Sequence, residues 1–246
     1  MACDVHLIDW GRPWLADWRV LGEAVAERIA QGASVADAAN TVAATVKAQA
    51  PVRFVPQAAL PPHLAYEIFV ARHVQVPTRD NLHDFFNALA WLRFPALKRQ
   101  LNAVHAQAIE RDGIGARRGP VRDRATVFDE NGALWWSPGE LTQALRARRW
   151  HDLFVQQRQS WRAVRVTLFG HALLEKLVSP RKAITAHVWC LGTGTGSDLG
   201  DAPERFAMAD WDAALGLTPL PVLGVPGWDS TNDSPGFYDD PAVFRA

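Results

Sequence analysis

Apolar positions recur at helical spacing through most of the first two thirds of the chain. Trp14, Trp18, Leu21, Val25 and Ile29 follow steps of four, three, four and four, which places them on one helical face, with Pro13 near its start and Gly32 just past its end. Ser34 fits the N-cap of a second helix with Val35, Ala39, Val42 and Val46 as its apolar face. Residues 52–55, between Pro51 and Pro56, read as a short strand that closes an N-terminal helical region over 1–59. Pro61-Pro62 opens a third helix to about Ala71, and Asp80 or Asn81 caps a fourth that carries Leu82, Phe85, Phe86, Leu89, Trp91 and Leu92. Pro95 interrupts that helix before a basic one over 97–111, which Gly113 and Gly115 end.

Beyond this point the periods mix. Residues 125–128 and 133–136 flank Asp129-Glu130-Asn131-Gly132 and predict a β-hairpin, because Asn-Gly suits the positive dihedrals of a tight turn. Ser137 with Glu140 makes a capping box for a helix over 138–148. Extended residues 164–169, a helix over 171–177 and a strand over 184–191 follow, and the proline- and glycine-rich stretch 217–228 predicts an ordered wrap rather than a strand or helix. The sum is an α+β fold: one mostly helical domain over 1–246, with a core over 60–246, a small antiparallel β element and an irregular Pro/Gly-rich C-terminal segment.

Composition narrows the classes. A chain of 246 residues with 48% hydrophobic content needs no disulfide or structural metal to build a core. The two cysteines, Cys3 and Cys190, form no Cys-x-x-Cys and provide no thiolate metal site. Acids at Asp4 and Asp9 stand where an export signal would carry basic residues, and no apolar run approaches the roughly 20 residues of a membrane span. A cytoplasmic location without membrane contact is therefore expected. The zero net charge gives no reason to expect nucleic acid, yet it is a cancellation: residues 98–165 hold 13 basic and 7 acidic side chains, and residues 198–246 hold 9 acidic and 2 basic. Either the acidic tail neutralises the basic middle or the middle attracts an anionic ligand.

Polar groups among aromatics mark the candidate chemistry. In Asn81-Leu82-His83-Asp84-Phe85-Phe86-Asn87, His83 and Asn87 share a helix face while Asp84 lies about 100 degrees around; the histidine is a general base, a metal ligand or a hydrogen-bonded core residue. Arg122-Asp123 reads as a surface ion pair or a substrate contact, and Asp129 and Glu130 as turn formers. His171 and Glu175 are four apart, a spacing at which they bind one cation or the carboxylate orients the imidazole, with Lys176 adjacent and His187 as the nearest further ligand. The dyads His83-Asp84 and His151-Asp152 fit metal phosphohydrolases poorly. The loop Gly192-Thr193-Gly194-Thr195-Gly196 imitates a phosphate loop without the lysine that would complete one. Acidic turns account for Asp229, Asp239 and Asp240.

The segments 81–95, 122–132, 169–176, 220–228 and 237–240, with sequences such as Asn81-Leu-His-Asp-Phe-Phe-Asn and Phe169-Gly-His-Ala-Leu-Leu-Glu-Lys176, resemble a bacterial family of unknown function, DUF3025, over about residues 60–245. The resemblance implies no activity and no catalytic residue; it gathers the dispersed polar groups into shared motif segments. Two functional classes are expected. The first is a hydrolase, metal-assisted in one version, with His83, Asp84, Asn87, Asp123, His171 and Glu175 as catalytic groups. Arg122, Lys176, Trp91 and Trp228 would hold a polar or anionic substrate, and His83, His171 and Glu175 a divalent metal ion. The metal version requires His83 and His171 within about 10 Å of each other. The second class is a non-catalytic binding protein with an aromatic pocket or basic surface for an anionic ligand or protein partner. In a third reading the polar motifs are a buried structural network.

Overall fold

The computed structural model describes residues 3–45, 52–113, 119–193 and 216–245. Its elements run α1 (Arg19–Ala30), α2 (Val35–Thr45), β1 (Arg53–Pro56), α3 (Tyr66–His73), β2 (Gln75–Thr78), α4 (Leu82–Arg93), α5 (Pro95–Asp112), α6 (Pro120–Asn131), β3 (Gly132–Trp136), α7 (Gly139–Arg146), β4 (Arg165–Leu168), α8 (His171–Lys176), β5 (Thr185–Gly192) and β6 (Thr218–Pro221). The expected mixed α+β, mostly helical class is the one found. No helix among the described residues is long and apolar enough to cross a membrane.

Local chemistry sets several boundaries where the sequence places them. Ser34 Oγ accepts from the Asp37 N–H at 3.1 Å and starts α2. Asn81 Oδ1 accepts from Asp84 N at 2.8 Å and starts α4, while its neighbour Asp80 takes the Val35 N–H of α2 at 2.7 Å, so each of the two candidate caps serves a different helix. The first predicted helix begins later than its periodicity suggests: a 3-10 turn over Pro13–Leu15 carries Trp14, and α1 starts at Arg19. Gly22 on α1 faces the Trp10 indole so closely that a Cβ would lie 2.0 Å from it. The third helix likewise starts at Tyr66, several residues after the double proline.

Two sheets organise the rest. β1 and β2 pair in parallel, and Asn40 of α2 holds β1 by exchanging hydrogen bonds of 2.8 and 2.9 Å with the Phe54 backbone. The second sheet has the order β4-β3-β5-β6, with antiparallel outer pairs and a parallel central pair, so it is mixed rather than purely antiparallel. Every residue of β3 is buried, as a central strand covered on both faces requires.

Three expectations fail here. The predicted hairpin over 125–136 is a helix running into a strand: Val121, Ala125 and Phe128 keep helical spacing, and α6 continues to Asn131. Gly132 has φ of −73°, so it is needed for space rather than for a turn, since a Cβ would sit 2.3 Å from Phe128 O. The Ser137 capping box does not form; its hydroxyl donates to Pro138 O, and α7 starts at Gly139. Within the predicted C-terminal wrap, Thr218–Pro221 pairs with β5 as an edge strand, a position that tolerates Pro219 and Pro221 because one side of the backbone needs no ladder partner. A 3-10 turn over Val222–Gly224 follows it, and the segment ends in turns.

One hydrophobic core runs through both sheets and their helices, and the N-terminal region shares it. Trp18 is fully buried, donates its Nε1–H to Leu168 O at 3.1 Å and meets Phe94 edge-on at 5.4 Å. Between the acidic tail and the basic middle, Arg158 pairs with Asp233 at 2.6 Å; most of the glycine loop after Thr193 lies outside the described residues.

Candidate active site

The site grows from the packing of α4 against α8. The Asn81 cap fixes the first turn of α4, and Asp84 there accepts from Arg79 Nε and Nη2 at 3.0 Å each and from the Arg79 N–H at 2.6 Å. That bidentate pair locks the loop before the helix, and it holds the Arg79 guanidinium more firmly protonated than usual. On the adjoining face, His83 Nδ1 meets Glu175 Oε2 at 2.9 Å. Glycine at 170 lets α8 begin against the end of α6, because a Cβ there would lie 2.4 Å from Glu130 O. The next residue, His171, thereby brings Nδ1 to 2.8 Å from Asp129 O, one of the last carbonyls of α6 that has no intrahelical partner. His171 Nε2 and His83 Nε2 face each other at 3.1 Å with the rings edge-on.

The hydrogen count in this chain follows from the partners. A carbonyl only accepts, so His171 Nδ1 carries its hydrogen and Nε2 is the acceptor in the neutral ring. Burial pushes the His171 imidazole down to about 4, with the Lys98 ammonium adding to the effect and Asp129 opposing it. The ring is therefore neutral near pH 7. Three contacts need three hydrogens, and two neutral rings supply two. The chain from Glu175 through His83 to His171 is therefore fully hydrogen-bonded only with one proton more than the two neutral rings carry.

A second network runs beside the first. Lys98 on α5 is only 4% exposed and donates to Asp129 Oδ1 at 2.5 Å and to Asn87 Oδ1 at 2.9 Å; Asn87 in turn donates to the Tyr66 hydroxyl at 3.1 Å. Burial alone would raise the Asp129 carboxyl, but Lys98, His171 and His105 outweigh it and hold it below the usual carboxylate range. Burial pushes the Tyr66 phenol up and the His105 imidazole down. Both networks line a cavity of about 300 Å³ whose wall includes Tyr66, His83, Asn87, Lys98, His105 and His171.

Of the residues expected from sequence, His83, Asp84, Asn87, Trp91 and His171 line this cavity, and Glu175 stands behind His83. Trp91 is buried with the Lys98 ammonium 5.5 Å from its ring centre. His83, His171 and Glu175 do come together, well inside the 10 Å that metal sharing needs. Glu175, however, meets His83 at Nδ1, across the ring from His171, so the three form a chain instead of a shell around one cation. Among the described residues no group of three or more His, Cys, Asp or Glu side chains is placed to hold a metal ion.

The other expected residues lie elsewhere. Asp123 is exposed on the first turn of α6, six residues before Asp129 and so about 120 degrees around the helix. Arg122 shares the Asp129 face but is buried beyond the cavity, beside His105. Lys176 points out and donates to Asn131 Oδ1 at 2.9 Å, and Trp228 packs on Trp14 at 6.3 Å. His187 sits on β5, apart from the cavity wall. In the second dyad, Asp152 pairs with Arg149.

Sequence reasoning missed Lys98, Asn102 and His105. Their spacing of four and three puts a stripe of polar residues on the buried face of α5, a signal that a reading of the helix as merely basic overlooks. Tyr66, Glu67 and Arg79 carried no signal of their own.

Fold and site together define an α+β protein in which a glutamate and two histidines, linked in a chain, border a polar cavity. The chain belongs to the family described as protein of unknown function (DUF3025), whose model matches residues 52–246 and thus takes in every element that lines the cavity. No curated protein and no solved structure matches it.

Proposed function

We propose that the protein is a hydrolase of small polar substrates, with the His83–His171 pair as its acid–base group. The carrying observation is the chain from Glu175 through His83 and His171 to Asp129 O, whose middle borders the cavity. With its proton in place the pair is an acid toward a leaving group. With the proton gone, the pair has a lone pair free to take a proton from a water at the cavity wall. Glu175 orients His83 as the carboxylate of a hydrolytic triad does, and the Asp129 carbonyl fixes the tautomer of His171. The Tyr66 hydroxyl, which accepts from Asn87, keeps its own hydrogen to donate to a developing oxyanion. The two cysteines are free thiols, which fits work in a reducing cytoplasm.

The test is turnover of a panel of 4-nitrophenyl esters, amino-acid 4-nitroanilides and 4-nitrophenyl phosphate by the wild type and by His83→Ala, His171→Gln and Glu175→Gln. Hydrolysis of at least one class, lost in His83→Ala with the circular dichroism spectrum intact, is the expected result. A protein that binds a ligand in the cavity and turns over none of the panel is a binding protein, and overturns the proposal.

A further inference from the structure

The cavity wall has a pronounced asymmetry between acceptors and donors. Its two permanent cations are spent: Arg79 on Asp84, and Lys98 on Asp129 and Asn87. The wall also holds Glu67 and Glu130, for which no basic partner is found among the described residues, so four carboxylates face two cations. The Glu175–His83–His171 chain with its third hydrogen is neutral as a unit and does not correct the balance. Arg122 behind His105 offsets it only in part.

The wall also holds uncommitted hydrogen-bonding groups of both kinds. Asn102 donates one amide hydrogen to Glu67 O at 3.1 Å, which leaves Oδ1 and the second amide hydrogen uncommitted. His105, only 6% exposed, lines the cavity with Nδ1 buried and without a hydrogen-bond partner. Buried polar atoms are almost always partnered, so two orphans on one wall, this nitrogen and the Trp91 Nε1 donor, mark the wall as incomplete without a ligand. The charge balance decides between ligands: a cation is favoured on this wall, whereas an anion would meet two carboxylates that have no basic partner among the described residues.

Resting on the hydrolase reading of the same cavity, we propose that the substrate carries a primary ammonium or guanidinium group, seated against Glu67 and Glu130 and hydrogen-bonded near Asn102 and His105. This replaces the anionic substrate that the basic middle of the sequence suggested.

The experiment is calorimetric titration of the full chain with agmatine and 1,4-diaminobutane, and with succinate and inorganic phosphate at matched ionic strength. Saturable binding of a cation, with no binding of either anion, is expected. Glu67→Gln and Glu130→Gln should each weaken it roughly tenfold, the scale of one charge-assisted hydrogen bond. Glu23→Gln, on the exposed side of α1, should leave it unchanged. If Glu67→Gln fails to fold, Glu130→Gln and Asn102→Ala carry the same comparison. Tighter binding of an anion, binding indifferent to both carboxylates, or no cation binding at millimolar concentration overturns the inference. His83-dependent hydrolysis of neutral esters without cation binding would sink this inference and leave the hydrolase reading standing. Cation binding without any turnover would do the reverse.

Discussion

Two buried polar networks sit in this molecule, and they differ in how completely they are satisfied. The C-terminal segment is organised by Asn232, which is fully buried and donates to Leu223 O and Val225 O at 2.8 Å each. Its Oδ1 accepts from Arg158, and Tyr238 closes the group by donating to Gly224 O at 3.0 Å. These groups are spent on holding the backbone of the C-terminal segment. The network around His83, Lys98 and His105 is as well ordered but leaves an orphan nitrogen and two carboxylates without a basic partner among the described residues at a cavity wall. A saturated network builds structure; one with a remainder is fitted to something that is not part of the chain.

Changes that separate rate from stability sharpen this contrast. The largest effect is expected from His83→Ala, which should cut hydrolysis at least about 100-fold, the lower end of acid–base contributions, and cost little stability because the side chain is a third exposed. Steady-state kinetics beside thermal denaturation checks it. Asn232→Leu should do the opposite: two carbonyls and Arg158 lose their buried partner, for about 3 kcal/mol by denaturant titration, with the rate per folded molecule unchanged.

Acid should strike the cavity network specifically. His171 titrates at about 4 in the folded protein against 6.5 when unfolded, so the unfolded chain takes up the proton first. Stability from this group is complete above about pH 6.5, falls as the pH drops toward 4 and levels below it, by about 3 kcal/mol in all. His105 and His187, also shifted down by burial, add in the same direction. Denaturant titrations across that range should show the slope, and His171→Gln should flatten it. The smallest effect is His105→Leu, which removes an unpaired buried nitrogen and should stabilise the fold by about 1 kcal/mol while weakening ligand binding. A loss of several kcal/mol would mean that His105 is structural, like Asn232.

How much of this the sequence discloses depends on range. The Ser34 and Asn81 caps, the apolar face of α4 and the shared face of His83 and Asn87 are written within four residues, and the structure has them. The 125–136 hairpin fails because Asn-Gly turn chemistry competes with the helical spacing of Val121, Ala125 and Phe128, and packing favours the helix. That one error hides the site, since it places Asp129 in a solvated turn instead of the helix end that receives His171. The meeting of α4, α5, α6 and α8 is a long-range event that depends on the absence of a side chain at Gly170, and no local pattern reports it.

The central claim concerns the hydrogens of the histidine pair, and long-range proton–nitrogen correlation of ¹⁵N-histidine-labelled protein reads them directly. His171 should carry hydrogen at Nδ1 alone from neutral pH down to about 5, with an Nε2 signal shifted by an accepted hydrogen bond that disappears in His83→Ala. A His171 ring protonated at Nε2, or doubly protonated already at pH 6, would contradict the hydrogen-bonded chain and the function built on it.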